Sequence, residues 1–235
     1  MNDVRTYRGL SAQERLTDRR ERLLAAALDR FGGQGYSATT IEMLCTDARV
    51  STRGFYECFE GRESLLRVLY DRILGEGGRR VRRALDESDG TVPGLVRGGL
   101  TAYIGYMTAD ERRARIAHVE VRRAGEPLHA VRREAVHRFA DLIAELVGGR
   151  VALAPDLNVR RVAVGLVGAV QELLIDWVHA TPRPAAEEVI ATAEYLFLAA
   201  FSQSASGSSP APTSAPAAGD ATGEAPAAAA PGGPP

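Results

Sequence analysis

Residues 40–59, which read TIEMLCTDARVSTRGFYECF, decide the fold of this chain. Helical spacing relates the apolar residues of the first half: Ile41, Leu44, Cys45 and Ala48. This spacing predicts a short helix that buries one face. Ser51 is the last residue of a tight turn at residues 48–51. Its side-chain oxygen can cap a second, very short helix at residues 52–58. Two helices joined by a turn of this length are typical of a helix-turn-helix.

Longer helices are expected on both sides of this pair. Ser11 and Glu14 have the spacing of a capping box and predict the start of the first helix. Its apolar face consists of Leu16, Leu23, Leu24, Ala27, Leu28 and Phe31, and it ends at Gly32, Gly33 and Gly35. Thr39 and Glu42 form a second capping box, which predicts the start of the next helix at Thr39. A fourth helix is expected from Arg62 to about residue 85.

The rest of the chain also has helical spacing and no convincing strand alternation. Further helices are expected at residues 93–107, 111–121, 127–147, from 156 or 158 to 179, and 184–201. The fold class is therefore predicted to be all-α, with about nine helices. Residues 203–235 are dominated by Ala, Pro, Ser and Gly and are predicted to be a disordered tail, while residues 1–10 are expected to be a flexible arm.

The composition narrows the class of protein. The formal net charge is −1, so any nucleic-acid contact must come from a local patch rather than from the whole surface. The two cysteines, Cys45 and Cys58, do not make a disulfide framework. Because we find neither an apolar N-terminal signal nor an apolar run long enough to span a bilayer, we expect a soluble, cytoplasmic protein with no membrane partner.

Residues 19–70 also resemble a known family. The residues that carry the resemblance are 24–28, Phe31, Gly35, Tyr36, 38–41, Ala48, Val50, Ser51, Gly54, Tyr56, Phe59 and 63–66. Together they resemble the DNA-binding domain of the TetR family of transcription regulators. The resemblance implies that residues 11–66 form a helix-turn-helix domain and that residues 67–202 form a helical domain for effector binding and dimerisation.

The resemblance also implies a function. We expect a homodimeric repressor that binds a palindromic operator in double-stranded DNA and responds to a small-molecule effector. Activation, or regulation without a ligand, is the alternative that the residues leave open. The expected DNA contacts are Thr39, Thr40, Ser51, Thr52, Arg53, Gly54, Phe55, Tyr56 and Arg62.

Each of the main contacts has an alternative reading. Arg53 is suited to gripping a guanine edge, but it can instead contact phosphate or remain in solvent. Phe55 can touch a thymine methyl group or pack within its own domain. Tyr56 can donate to phosphate or serve as a core aromatic residue. Gly54 is explained by close approach to DNA or by tight internal packing. Arg49 stands where the family usually has a turn glycine, and carries a strain of about 1 kcal/mol if that position requires a positive φ.

The second domain offers candidates without a diagnostic motif. A dimer interface is expected from the last two helices, at Gly165, Leu166, Val170, Leu173, Leu174, Leu196 and Leu198. An effector pocket is expected from Tyr103, Tyr106, Met107, His118, Phe139, Glu172 and Trp177. Packing within the protomer is the alternative for every one of these residues.

Other chemistries lack their sequence signatures. The four histidines and two cysteines have no metal-ligand spacing, and no nucleophile elbow or phosphate loop is present. We therefore expect no cofactor, no metal and no enzyme activity. An enzyme that uses the apolar pocket, or a helical adaptor that has lost DNA binding, are the competing hypotheses.

Overall fold

The computed structural model describes residues 12–151, 153 and 156–202. Within these ranges the chain forms nine α-helices and no strand. The helices are α1 (Ala12–Gly33), α2 (Ile41–Ala48), α3 (Thr52–Tyr56), α4 (Arg62–Asp86), α5 (Val92–Thr108), α6 (Glu111–Ala114), α7 (Glu126–Val147), α8 (Val159–His179) and α9 (Ala186–Ser202). The all-α fold class predicted from the sequence is confirmed.

Side-chain caps fix where several helices begin. Ser51 accepts a hydrogen bond from the N–H of Gly54 and starts α3, as the sequence predicts. Asn158 caps α8 through the N–H of Arg161, and this selects between the two predicted starts. Each cap satisfies an N–H group that would otherwise have no partner within its helix.

Helices α1–α3, residues 12–61, form what we call the head. Its core consists of Leu23, Leu24, Ala27, Phe31, Leu44, Ala48, Phe55 and Phe59, all buried. Because α3 supplies Phe55 and the segment just after it supplies Phe59 to this core, a helix of only five residues is held firmly against α1 and α2. The rest of the head's geometry follows from that anchoring.

The remaining helices, residues 62–202, form what we call the body. Helix α4 packs along α5, α5 packs against α9, and α7 pairs with α8. Between α6 and α7 the backbone changes from a π-helical segment, Arg115–Val119, to a 3₁₀ turn, Glu120–Arg123. The sequence predicts one weak helix over residues 111–121, so this change of helix type is a finding of the structure.

One sequence prediction needs correction, and three others fall outside the described residues. Helix α2 is capped by Thr40, whose side chain accepts from the N–H of Met43, and not by Thr39. The predicted cap at Ser11, the arm at residues 1–10 and the tail at residues 203–235 lie outside the described residues. By length and composition alone α8 passes the test for a membrane-crossing helix, a test that core helices of soluble proteins also pass.

Candidate nucleic-acid interface and internal cavity

Helix α3 presents its polar side chains to solvent. Thr52 is exposed, the side chain of Arg53 is 91% exposed, and Tyr56 is 57% exposed. The N-terminus of α3 points its first N–H groups outward beside the cap Ser51, an arrangement that suits an anion such as phosphate. Three neighbouring side chains with hydroxyl or guanidinium groups therefore stand free of the core on one short helix.

Arg53 is held in place by one carboxylate. Its Nε donates to Glu57 at 3.3 Å, one turn further along, and Glu57 also pairs with Arg19 of α1. The hydrogen bond from Arg19 is the main cause that lowers the pKa of Glu57, so this carboxylate is charged at neutral pH. Because Glu57 has a second partner, Arg53 can move to another acceptor without leaving a lone carboxylate.

Two predicted contacts on α3 point inward. Phe55 is fully buried and packs against Phe59 with a centroid distance of 6.1 Å, so its predicted contact with DNA is wrong and its packing alternative is correct. Gly54 is also buried, and a Cβ there would approach Val50 to 3.0 Å. The glycine therefore suits the tight packing inside the head, and its burial favours the packing alternative over the predicted DNA contact.

Two predicted phosphate contacts near α2 are engaged within the protein. Thr39 is buried and its hydroxyl donates to the carbonyl of Gly35 at 2.8 Å. Arg62 donates to the carbonyls of Tyr36 and Thr39, and lies 5.0 Å from the centre of the Tyr36 ring. These two side chains position the start of α2, and in this arrangement neither reaches outward. Thr40, in contrast, is exposed at the cap.

The turn between α2 and α3 has a left-handed residue. Arg49 has φ 51° and ψ 49°, the region that favours glycine, and it ends α2 by donating its N–H toward the carbonyls of Cys45 and Thr46. Arg22 of α1 donates to the carbonyls of Ala48 and Arg49 at 2.9 and 3.1 Å. Arg49 therefore has the positive φ on which the predicted backbone strain depended. Arg22 stabilises the strained turn through these two hydrogen bonds.

The comparisons with known proteins agree with this geometry. A family model described as bacterial regulatory proteins, tetR family, matches residues 23–69, which cover the second half of α1, all of α2 and α3, and the start of α4. Residues 23–69 therefore form a DNA-binding domain of the TetR family. The proteins of this family are DNA-binding transcription regulators, and the helix-turn-helix is their DNA-binding element. No curated protein sequence matches the chain.

Solved structures share the fold of this chain over most of its length. The fatty acid degradation regulator FadR from Bacillus halodurans aligns with a TM-score of 0.68 at 18% identity, over 77% of this chain and 94% of that one. FadR from Bacillus subtilis, solved with stearoyl-CoA, gives 0.65 at 17% identity, over 77% and 97%. A TetR-family regulator from Streptomyces coelicolor gives 0.59 at 22% identity, over 79% and 99%. At these identities the likeness shows the fold alone.

The body of this protein contains a partly open cavity of about 110 Å³. Helices α4, α5, α7, α8 and α9 contribute apolar side chains to its wall, among them Leu74, Val96, Leu100, Ile143, Val167, Val170, Phe197 and Phe201. Of the predicted pocket residues, Tyr103, His118 and Phe139 line it. The polar groups among the described lining residues are those of Tyr70, Tyr103, His118 and Gln171.

Four predicted pocket residues lie elsewhere. Met107 is fully buried in the core, and Trp177 donates from its indole nitrogen to the carbonyl of Pro184. Tyr106 packs under the guanidinium groups of Arg80 and Arg113. Glu172 is exposed and accepts from Arg122 at 2.9 Å. Helical spacing selects a face but not which members of that face border an empty space, so the sequence could not separate the two groups.

His118 has an unusual environment in the cavity wall. It is 3% exposed, and its Nε2 atom is buried without a hydrogen-bond partner among the described residues. Burial, reinforced by the charges of Arg122 and Arg132, lowers the pKa of His118 to about 3, so the ring is neutral at physiological pH. A buried polar atom without a partner is rare in proteins and calls for an explanation.

Glu120 connects the body to the head, and no sequence pattern predicted this role. It is fully buried, and its carboxylate accepts from the backbone N–H of Tyr36 at 2.8 Å. Arg115 and Arg123 pair with the other carboxylate oxygen at 3.3 and 3.4 Å. Gly35, with φ 96°, lies against this carboxylate, where a side chain would crowd it. A body residue two positions after His118 therefore holds the turn that precedes α2.

Only part of the predicted dimer face is free in the protomer. Leu166, Val170 and Leu174 are buried within the body, which corrects their assignment as an interface. Gly165 is exposed, Leu173 and Leu198 are half-buried, and Leu196 is 37% exposed. Tyr195, which the sequence reading missed, is 72% exposed beside Leu196 on α9.

Proposed function

We propose that this chain is a homodimeric, ligand-responsive repressor in the cytoplasm, and that its α3 reads the major groove of a palindromic operator. The observation that carries the proposal is the outward projection of Thr52, Arg53 and Tyr56 from a capped helix whose other face is fixed in the core. A recognition helix needs both properties, because base contacts require free side chains and a fixed register.

The chemistry of each side chain suggests its role at the duplex. Arg53 is suited to a bidentate contact with guanine O6 and N7, which discriminates by about 1–3 kcal/mol against other bases. Tyr56, Thr40 and the N–H groups beside Ser51 are suited to phosphate, which positions the helix without reading sequence. Thr52 stands next to Arg53 and is within reach of either a base edge or the backbone.

A mobility-shift titration with DNA from around the protein's own gene, at two salt concentrations, tests this assignment. Arg53→Ala is expected to weaken specific binding roughly tenfold or more and to relax sequence preference at one position. Tyr56→Phe is expected to weaken binding to all duplexes equally. Arg133→Ala, an exposed arginine of α7, is the matched control. Sequence preference that survives in Arg53→Ala would remove Arg53 as the base reader, and a protein indifferent to every duplex would remove the function.

The proposed dimer uses the exposed faces of α8 and α9. Tyr195 and Leu196 are large apolar side chains that the protomer leaves in solvent, and exposed patches of this kind mark interaction sites. Gly165 on α8 has open space around it, so a second helix can approach closely there. Light scattering should show a dimer for the wild type and monomers for Tyr195→Arg or Leu173→Arg. Ala130→Arg, on the exposed side of α7, is the control, and a dimer that persists in Tyr195→Arg would contradict this face.

The ligand response is proposed as a shift between two populations. A dimer binds its operator when the two α3 helices match successive major grooves, about 34–36 Å apart. A ligand that fits the cavity better in another arrangement lowers DNA affinity by its differential affinity for the two states. The contact of Glu120 with Tyr36 supports this route, because it joins the segment that carries His118 to the turn that positions α2.

A further inference from the structure

The cavity contrasts an apolar wall with one buried polar atom that lacks a partner. We propose that it binds an uncharged, largely hydrocarbon molecule whose single hydrogen-bonding group meets Nε2 of His118. The inference rests on the proposed ligand response and specifies the chemistry of the ligand. It is carried by the fully enclosed position of His118, its unpaired nitrogen and the composition of the wall.

The wall favours an uncharged ligand. Among the described residues that line the cavity, none is Asp, Glu or Arg. The cationic groups nearest to His118 already have acceptors, since Arg122 pairs with Glu172 at 2.9 Å and Arg132 donates to the Gln171 amide at 3.4 Å. Transfer of an ionised carboxylate or ammonium group into such surroundings is costly because no opposite charge receives it.

The imidazole itself is suited to a neutral partner. Burial keeps His118 unprotonated, so Nε2 is either a single donor or a single acceptor, according to the tautomer. A hydroxyl group satisfies both cases, because it donates and accepts. Burial also raises the pKa of Tyr70 and of Tyr103 far above the usual range, so both phenols remain protonated and uncharged. Every titratable group at the wall is thus in its neutral form.

The position of His118 makes the hydrogen bond consequential. The residue belongs to the π-helical segment Arg115–Val119, and segments of this kind are frequent at functional sites. Its ring lies edge-on to Tyr103, with centroids 6.3 Å apart, and Tyr103 in turn packs edge-on against Phe139 at 5.4 Å. A ligand in the cavity that these rings line replaces empty space with contacts and gives the unpaired nitrogen its missing partner.

Three probes of equal chain length test the proposal on the full chain. They are 1-octanol, octanoate and octylamine at pH 7.5, which present a neutral, an anionic and a cationic end. Thermal-shift titration and calorimetry should show binding of octanol at least tenfold tighter than binding of either ion. Tighter binding of octanoate or octylamine, or no binding of any probe up to its solubility limit, overturns the proposal.

Variants of the histidine test the role of its nitrogen. His118→Phe, which keeps an aromatic ring without a nitrogen, should weaken octanol binding about five- to tenfold. His118→Gln, which restores a donor and an acceptor, should recover part of the loss. His129→Phe, at an exposed position on α7, is the control and should bind as the wild type does. Equal octanol affinity in the wild type and in His118→Phe overturns the proposal.

The same titration distinguishes this inference from the proposed repressor function. Octanol binding is measured without DNA, and its release of operator is measured separately by mobility shift. Binding that depends on His118 but leaves DNA binding unchanged contradicts the ligand response while the ligand chemistry stands. DNA release by octanol that persists in His118→Phe contradicts the ligand chemistry while the response stands.

Discussion

The head and the cavity of the body differ in how their polar groups are satisfied. In the head, the turns and helix starts have specific partners: Ser51 caps α3, Thr40 caps α2, and Arg22 donates to the carbonyls of the turn. In the cavity, His118 is buried with one nitrogen that has no partner among the described residues. The polar groups of the first region are paired within the protomer, whereas the second region holds a buried nitrogen that the proposed ligand would pair.

This difference indicates a division of work. A helix that must hold a fixed register on DNA benefits from a tightly packed inner face with paired polar groups. Movement of that face would change the distances between its outer side chains and the DNA bases. A site that senses a ligand benefits from a group whose stability depends on occupancy, since only a differential interaction shifts an equilibrium. Glu120 lies between the two regions, buried and bonded to Tyr36.

The largest expected effect comes from disrupting the hydrophobic core of the head. Phe55→Ala removes a fully buried ring beneath α3 and is expected to lower the free energy of unfolding by about 3–5 kcal/mol. Urea denaturation at neutral pH measures the loss. Tyr56→Ala, at the adjacent exposed position, is the comparison and should change stability by less than about 0.5 kcal/mol while DNA binding falls. Similar losses in both variants would mean that Tyr56 is also structural.

The next largest effect comes from removing the contact of Glu120 between body and head. Glu120→Ala leaves the N–H of Tyr36 and two arginines without their buried acceptor, and should lower the free energy of unfolding by about 1.5–3 kcal/mol. Hydrogen exchange at the Tyr36 amide should also accelerate. Glu172→Ala, which breaks an exposed pair with Arg122, should cost less than about 1 kcal/mol. Unchanged exchange at Tyr36 in Glu120→Ala would show that the head holds this turn by itself.

A pH titration sharpens the account of the cavity. The pKa of His118 lies near 3 in the folded protein and near 6.5 in an unfolded chain, so the unfolded state binds an extra proton as the pH falls below about 6.5. The wild type should therefore lose about 2 kcal/mol more than His118→Phe between pH 7 and pH 5. Denaturation of both proteins at the two pH values measures this difference. Parallel losses would show that His118 is protonated when folded.

The smallest expected effect concerns the turn of the head. Arg49 occupies the left-handed region at φ 51°, and Arg49→Gly removes the steric penalty of its Cβ. The free energy of unfolding should rise by about 0.5–1 kcal/mol after the entropy of the unfolded glycine is allowed for. Arg49→Ala keeps the penalty and should match the wild type. A gain in both variants would assign the effect to the arginine side chain instead of the backbone.

The sequence predicted the head better than the body for physical reasons. In the head, helix caps and a short apolar spacing act over a few residues, so Ser51 as a cap and the start of α3 followed directly from the order of residues, although α3 ends at Tyr56 and not near the predicted Cys58. Local patterns could not reveal that Phe55 turns inward and Tyr56 outward, since a five-residue helix has too few turns to define a face. The inward orientation of Arg62 depends on the carbonyls of Tyr36 and Thr39, in the loop between α1 and α2.

In the body, the decisive facts are contacts between residues far apart in sequence. Leu166, Val170 and Leu174 form a clear apolar stripe, but a stripe has the same spacing whether it faces the core or a second chain. His118 and Glu120 are polar residues in an apolar segment, and only the packing of α4, α5 and α7 around that segment shows which one meets a cavity and which one meets the head.

The close fit between body and head limits how the parts can be exchanged. A Cβ at Gly32 would overlap the side chain of Arg112, and Gly35 lies against the carboxylate of Glu120. In a chimera that joins this body to a foreign N-terminal domain, larger residues at these two positions would displace that domain from its contact with the body. Biosensor designs built from this protein therefore have to place glycines at positions 32 and 35 of the new domain, or redesign Arg112 and Glu120 to accommodate larger side chains there.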